Sequence, residues 1–318
     1  MKQDRLSRRG FIAASGAAVG AVVLTGREVK AAARSTGSFR YSLNTSTIRG
    51  QKLGLEKEID IAAEAGYSAI EPWVSTVQDY TKAGGRLADI RKRIEDRGLT
   101  VEGAISFAQW IVDDEAARAR ALEQVRREMD LLAQIGGQRI AAPPAGANGG
   151  NAPSLDLMAA AERYRALLEL GDRMGITPAL ELWGPSKNLH RLGQCLFVIV
   201  ESGHPKACLL GDVYHIYKGG SDFTGLKSIS AAALPVLHMN DYPADPPREK
   251  IADRDRVMPG DGIAPLPQIL RDLRDNHSRA VLSLELFSQV YWEQDPLEVA
   301  RTGLAKMKAA VEKSLAPA

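Results

Sequence analysis

The 318-residue sequence has only two cysteines, no strong excess of either charge and no apolar run long enough to span a bilayer. Each shortage excludes something. Cys195 falls in a helical pattern and Cys208 in an apolar strand-like run, so there is no disulfide framework and both read as buried thiols. No G-x-G-x-x-G or G-x-x-x-x-G-K-[ST] follows an apolar run, which removes the main support for a nucleotide-binding fold. The overall balance of 45% hydrophobic and 25% charged residues is that of an ordinary globular chain, which argues against disorder.

The first 33 residues differ from the rest. Arg8 and Arg9 precede a Gly/Ala/Val-rich stretch ending near Leu24, and Ala31–Ala33 follow. The order arginine pair, apolar stretch, small residues resembles a twin-arginine export signal. The apolar stretch falls short of the roughly 20 residues of a spanning helix. The expectation is therefore residues 1–33 as signal and 34–318 as mature domain, periplasmic or exported, and membrane-tethered if the signal stays uncleaved. Residues 1–33 carry six of the 41 Lys and Arg and two of the 39 Asp and Glu, leaving 35 against 37, a net charge of −2. A near-neutral mature chain offers nucleic acid no electrostatic footprint.

From Phe39 onward, short apolar runs alternate with longer amphipathic segments. The predicted strands are 39–48, 69–74, 101–108, 138–145, 177–183, 207–214, 234–241 and 279–287. Helical patterns between them include 55–66, 114–136 and 266–276, and 297–314 closes the chain. Eight βα units in about 280 residues predict a single-domain TIM (β/α)8 barrel.

Strand parity then orders the polar residues. Alternate residues of a barrel strand face inward. Counting back by twos, Glu181 shares a face with Ala179, Asp212 with Leu210 and Cys208, His238 with Val236, and Glu285 with Ser283 and Val281. The other parity holds Leu180, Leu182, Leu209, Leu237, Met239, Leu282, Leu284 and Leu286, the face for the helix layer. Glu181, Asp212, His238 and Glu285 thus end strands five to eight on the inner side, where barrel enzymes carry their sites. Converging carboxylates repel unless a cation neutralises them. Three carboxylates and an imidazole suit one divalent ion, Mn²⁺ or Mg²⁺ before Co²⁺ or Zn²⁺.

These residues, with ALELWG (179–184), GDVYH (211–215), LHMND (237–241), RVMPGDG (256–262) and SLELF (283–287), resemble the xylose isomerase-like superfamily over roughly residues 39–314. The resemblance implies Glu181, Asp212, His238 and Glu285 as metal ligands, with Glu181 and Glu285 also the acid/base pair of ketose 3-epimerases. It implies His215 and Arg256 as substrate-orienting groups, and Arg248 and Arg254 are the other guanidinium candidates in the long 242–255 loop. The activity implied is isomerisation or epimerisation of an unphosphorylated keto-sugar or sugar derivative through an enediolate. The alternative is dehydration of an inosose or 3-dehydroshikimate on the same barrel. The partners expected are a small carbohydrate and the twin-arginine machinery, with a homo-oligomer left open. Trp73, Trp110 and Trp183 read equally as sugar platforms or packing, Glu71 as a hydroxyl contact or a helix-end charge, and Lys218-Gly219-Gly220 as a phosphate contact or a connector. The Gly/Asn-rich 144–154 loop reads as a mobile cover or a connector.

If the arginine pair is read by the export machinery, replacing Arg8 and Arg9 with Lys leaves full-length precursor in the cytoplasm. Cell fractionation with immunoblotting checks this, and normal export of the variant would remove the signal assignment.

Overall fold

Every predicted apolar run from Phe39 onward gives a strand, each shorter than its pattern. The computed structural model describes residues 39–316, and the export signal read from residues 1–33 lies outside them. The strands are β1 (Arg40–Asn44), β2 (Ala69–Glu71), β3 (Thr100–Val101), β4 (Arg139–Ala142), β5 (Thr177–Glu181), β6 (Leu209–Asp212), β7 (Val236–Met239) and β8 (Val281–Leu284). All pair in parallel in the order β3-β2-β1-β8-β7-β6-β5-β4. The remaining edges meet through a Val101–Gly137 bridge, and Ala104 donates to Arg139 and accepts from Ala141, at 3.2 and 2.9 Å. The chain is a TIM barrel with its seam between the third and fourth strands.

The strands end early for local reasons. The predicted third strand, 101–108, keeps only its first residue in the regular ladder. Past Glu102 its backbone bonds alternately to the second strand's segment and the fourth's. Asn44 turns the chain out of β1 by accepting from Ser46 N in a following 3₁₀ turn. Asp212 ends β6 by capping the next helix.

The helices are α1 (Leu55–Ala65), α2 (Val74–Lys82), α3 (Leu87–Asp96), α4 (Glu115–Gln134), α5 (Leu157–Met174), α6 (Leu192–Glu201), α7 (Val213–Lys218), α8 (Leu266–Asp275), α9 (Gln289–Trp292) and α10 (Pro296–Leu315). The large outward residues named above all lie in the cluster between strands and helices. Inside, a smaller cluster holds Ala141, Ala179, Cys208, Leu210, Val236 and Val281. The parity read from sequence is the parity of the barrel. Both cysteines are free and buried.

Tyr164 of α5 ties a helix to two strands. Its buried hydroxyl lies 2.9 and 3.0 Å from the carbonyls of Pro178 and Cys208, and accepts from Cys208 N at 3.3 Å. Removing it leaves buried backbone groups unpaired, at a cost of about 1–3 kcal/mol. Tyr164→Phe should lower the urea midpoint accordingly with an unchanged denaturant slope.

Candidate active site

Because Asp212 sits at the junction of β6 and α7, its two oxygens do different work. Oδ1 accepts the His215 amide at 2.7 Å and caps α7. Oδ2 accepts from Asn240 Nδ2 at 3.0 Å and Arg256 Nη1 at 3.1 Å. One oxygen thus caps a helix and the other faces the inner polar cluster. The cation facing it in this structure is Arg256.

Arg256 is 1% exposed. Its Nη1 also donates to Glu285 Oε2 at 2.8 Å, and its Nη2 donates to His215 Nε2 at 3.1 Å and pairs with Asp253. The guanidinium lies 4.4 Å from the Tyr214 ring centre and 5.0 Å from that of Phe287. Burial alone would disfavour its charge, but Asp212, Asp253 and Glu285 hold it firmly protonated. Arg254, by contrast, is exposed, and Arg248 is half exposed beside Glu249. Of the three guanidinium candidates, Arg256 is the one inside.

His215 occupies the first turn of α7. Its Nε2 must accept from Arg256, so the proton is on Nδ1, a buried nitrogen without a partner among the described residues. Burial lowers its pKa and keeps it neutral.

His238 is completely buried between carboxylates. Its Nε2 donates to Glu71 Oε2 at 3.2 Å, which fixes the ring. Nδ1 lies 3.1 Å from Glu285 Oε2 and 3.7 Å from Asp212 Oδ2, off the line a hydrogen bond needs. Burial opposes its charge, yet Glu285 and Glu71 raise its pKa well above the ordinary value. Glu285 is also buried, which alone would raise its pKa, but His238 and Arg256 hold it well below the carboxylate range. Asn44 Nδ2 donates to its Oε1 at 3.0 Å. Glu181 is the opposite case. Burial, then the nearby Glu285 charge, pushes its pKa up to about 8, and its Oε2 has no hydrogen-bond partner among the described residues.

The donor set fits a divalent cation. One atom each from Asp212, His238 and Glu285 lie within 4.8 Å of one another, and the unpartnered atoms His238 Nδ1 and Glu181 Oε2 belong to the same cluster of interacting groups. A ring that donates through Nε2 to a carboxylate presents Nδ1 as a ligand atom. Glu181 stands apart from the tight trio.

Other sequence readings resolve singly. Trp110 is core, donating to Pro143 O. Trp73 and Trp183 flank Phe107, at 5.1 and 5.9 Å between ring centres. Lys218 donates to the carbonyls of Arg248 and Glu249, which makes it a tie for the 242–255 loop. The 144–154 loop is a pinned connector, with Asn188 donating to Ala147 O and Pro153 O. The Pro259-Gly260-Asp261-Gly262 turn wraps Asp241, which accepts from Gly260 N and Ala264 N. Sequence reasoning missed Asn44, Asn240, Asp253, Phe107 and Phe287. Only Asn240, beside His238 in LHMND, carried a local signal.

A profile of the family described as xylose isomerase-like TIM barrel matches residues 59–310. The inosose isomerase of Halalkalibacterium halodurans is 30% identical over 43% of this chain and 48% of its own length, so the match spans about half of that relative. The inosose isomerase of Bacillus velezensis is 23% identical over 81% of this chain and 92% of its own. Among solved structures, the IolI protein with a bound zinc atom superposes with TM-score 0.80 at 20% identity, covering 88% of this chain and all of that one. An L-ribulose 3-epimerase gives 0.71 at 19% identity over 87% and 96%. At these identities the structural likeness speaks to the fold.

The raised Glu181 pKa has a measurable consequence. Below about 8 its carboxyl holds a proton that a bound cation must displace. Titrating chelator-treated protein with Mn²⁺ at pH 7 should release about two protons per ion, one from Glu181 and one from His238, whose neighbouring carboxylates keep it charged, and apparent affinity should rise with pH through 8. Calorimetry in buffers of different ionisation enthalpy reads the release. Uptake without it would place the ion away from Glu181.

Proposed function

We propose, from the premise that the chain belongs to the xylose isomerase-like TIM-barrel family, that it is a metal-dependent isomerase or epimerase of an unphosphorylated keto-sugar or sugar derivative. The observation that carries this reading is the pair Glu181 and Glu285. Both carboxylates are buried beside His238, and their surroundings push their proton affinities in opposite directions. Two carboxylates so divided are the usual arrangement for taking and returning a proton.

Glu181, Asp212, His238 and Glu285 would hold the ion, which when bound supplies a Lewis acid for the sugar carbonyl. Glu71 fixes the His238 ring, and Asn44 and Asn240 fix the carboxylates of Glu285 and Asp212. His215 presents an unengaged Nδ1–H to a substrate hydroxyl; burial, with Arg256 beside it, keeps its imidazole neutral, and Arg256 orients it. One glutamate removes the carbon-bound proton next to the carbonyl and the other returns one. Of the two, Glu181 has the proton affinity nearer neutrality, which general acid–base transfer favours. Lys218, the phosphate candidate, is engaged by two backbone carbonyls, which supports a substrate without phosphate. The export signal read at residues 1–33 supports the same.

Glu181→Gln and Glu285→Gln should each lower turnover about 10²-fold or more while some metal remains bound. Turnover in deuterated water should place deuterium on the carbon beside the carbonyl, read by mass spectrometry on a panel of keto-sugars. A product lighter by one water would move the reaction to dehydration. Unchanged turnover in both variants would overturn the acid/base assignment.

A further inference from the structure

Glu58 is a buried carboxyl that the chemistry above leaves unused. It sits in the first half of α1, 4% exposed, and its Oε2 has no hydrogen-bond partner among the described residues. A carboxyl so placed needs either a proton or a cation. An open cleft of ≈ 740 Å³ lies between α1, α2 and the turn before α1, and Glu58 and Arg49 both line it. Arg49 belongs to the 3₁₀ turn Thr45–Gln51 that Asn44 begins. Its guanidinium lies 3.6 Å from the centre of the Trp73 ring, and it makes no ion pair or side-chain hydrogen bond among the described residues. Two groups of opposite charge thus line one cleft, neither of them paired.

The other charges around Glu58 are matched or turned away. On α1, Asp60 is held by Arg93 and Arg97, and Glu56 meets Arg93 at 3.4 Å. On α2 the groups are Asp79, paired with Lys82 at 3.1 Å, and the phenol of Tyr80. Glu71 of β2 faces into the barrel on His238, and Arg301 of α10 pairs with Glu64 and Glu298. Lys52 and Lys57 are exposed to water. Burial pushes the Glu58 pKa up to about 7 against the pull of Thr45 and Arg49, and Arg49 is the cation that contributes.

We propose that Arg49 is a latch with two positions, stacked on Trp73 while Glu58 carries its proton and paired across the cleft with the Glu58 carboxylate once that proton is lost. Arg49 is exposed, so its stem is free to turn. The ring it leaves is part of the barrel mouth. Trp73 belongs to the apolar cluster inside the barrel and meets Phe287 at 6.3 Å. Ionisation of Glu58 therefore uncovers an aromatic face at the end of the barrel that carries Glu181 and Glu285. The latch does not depend on which reaction the barrel performs.

The test is ¹⁹F NMR of the full-length protein labelled with 5-fluorotryptophan. The four tryptophans give four resonances, and that of Trp73 is the one lost in Trp73→Phe. It should move with a midpoint at about pH 7, while that of Trp110 in the core stays in place. Glu58→Gln keeps the size of the side chain and cannot ionise, so it should hold the Trp73 resonance at its low-pH position. Arg49→Met should also abolish the movement, with the resonance displaced from its low-pH position at every pH. A Trp73 resonance that stays still between about pH 6 and 8, one unit either side of the expected midpoint, overturns the latch. So does a titration that survives either substitution. Urea unfolding checks the buried carboxyl separately. Because the folded pKa lies above the ordinary 4.5, stability is lost as pH rises from there to about 7. The urea midpoint of Glu58→Gln, relative to the unaltered protein, should therefore climb over that window and hold constant above it. A difference that is flat with pH would overturn the proposal at its root.

Discussion

Four carboxylates, those of Glu71, Glu181, Asp212 and Glu285, share one buried mouth, and the architecture around them depends on how their charge is balanced. Left alone, each would cost several kcal/mol to hold ionised away from water. Arg256 and His238 supply the positive charge, and Glu181 can hold a proton. The long 242–255 segment is understandable in this light. Lys218 ties its middle through the carbonyls of Arg248 and Glu249, Tyr214 bonds to Ile251 O, and Asp253 pairs with the guanidinium of Arg256. The segment delivers one arginine to the interior and fixes it between two aromatic rings.

The same economy of contacts appears at single residues. Asp212 ends a strand, starts a helix and faces Arg256 with its remaining oxygen. Asn240 accepts from Tyr214 N through Oδ1 and donates to Asp212 through Nδ2. Moving either would misplace the α7 turn that carries His215, because the backbone of that turn and the buried polar side chains share hydrogen bonds. Position and protonation are thus set together.

How much of this was legible in the sequence depends on distance along the chain. The alternation of Leu209, Leu237 and Leu282 with Leu210, Val236 and Val281 is a local pattern, and it placed four polar residues on the inner face of the barrel. Asp212 and His215 stand three residues apart, the spacing at which an N-cap carboxylate meets the third helical amide, so that contact too is local. By contrast, Glu71 bonds to His238 across 167 residues and Asn44 to Glu285 across 241. Such pairs arise from closure of the sheet and have no periodicity to betray them. Strand ends were misjudged for a related reason: Asn44 and Asp212 look like extensions of apolar runs until their side chains turn back to cap the next helical turn. Trp73 packs on both Phe107 and Phe287, three rings from three separate strand ends, and none of them announces the others.

The junction of the first and last strands has an implication for the life of the chain. Asn44 holds Glu285, Thr47 bonds to Leu284 O and Leu286 N, and Trp292 reaches back to Ser46 O. The first strand and the end of the last are therefore stitched at the very point where the Glu285 carboxylate sits. During synthesis, Glu181, Asp212 and His238 emerge well before their fourth companion, and β1, though β2 follows it at once, waits for β8 on its other edge until most of the polypeptide has left the ribosome. The buried carboxylate cluster is therefore closed only when β8 joins β1, and a chain cut before β8 lacks the partner that Asn44 holds.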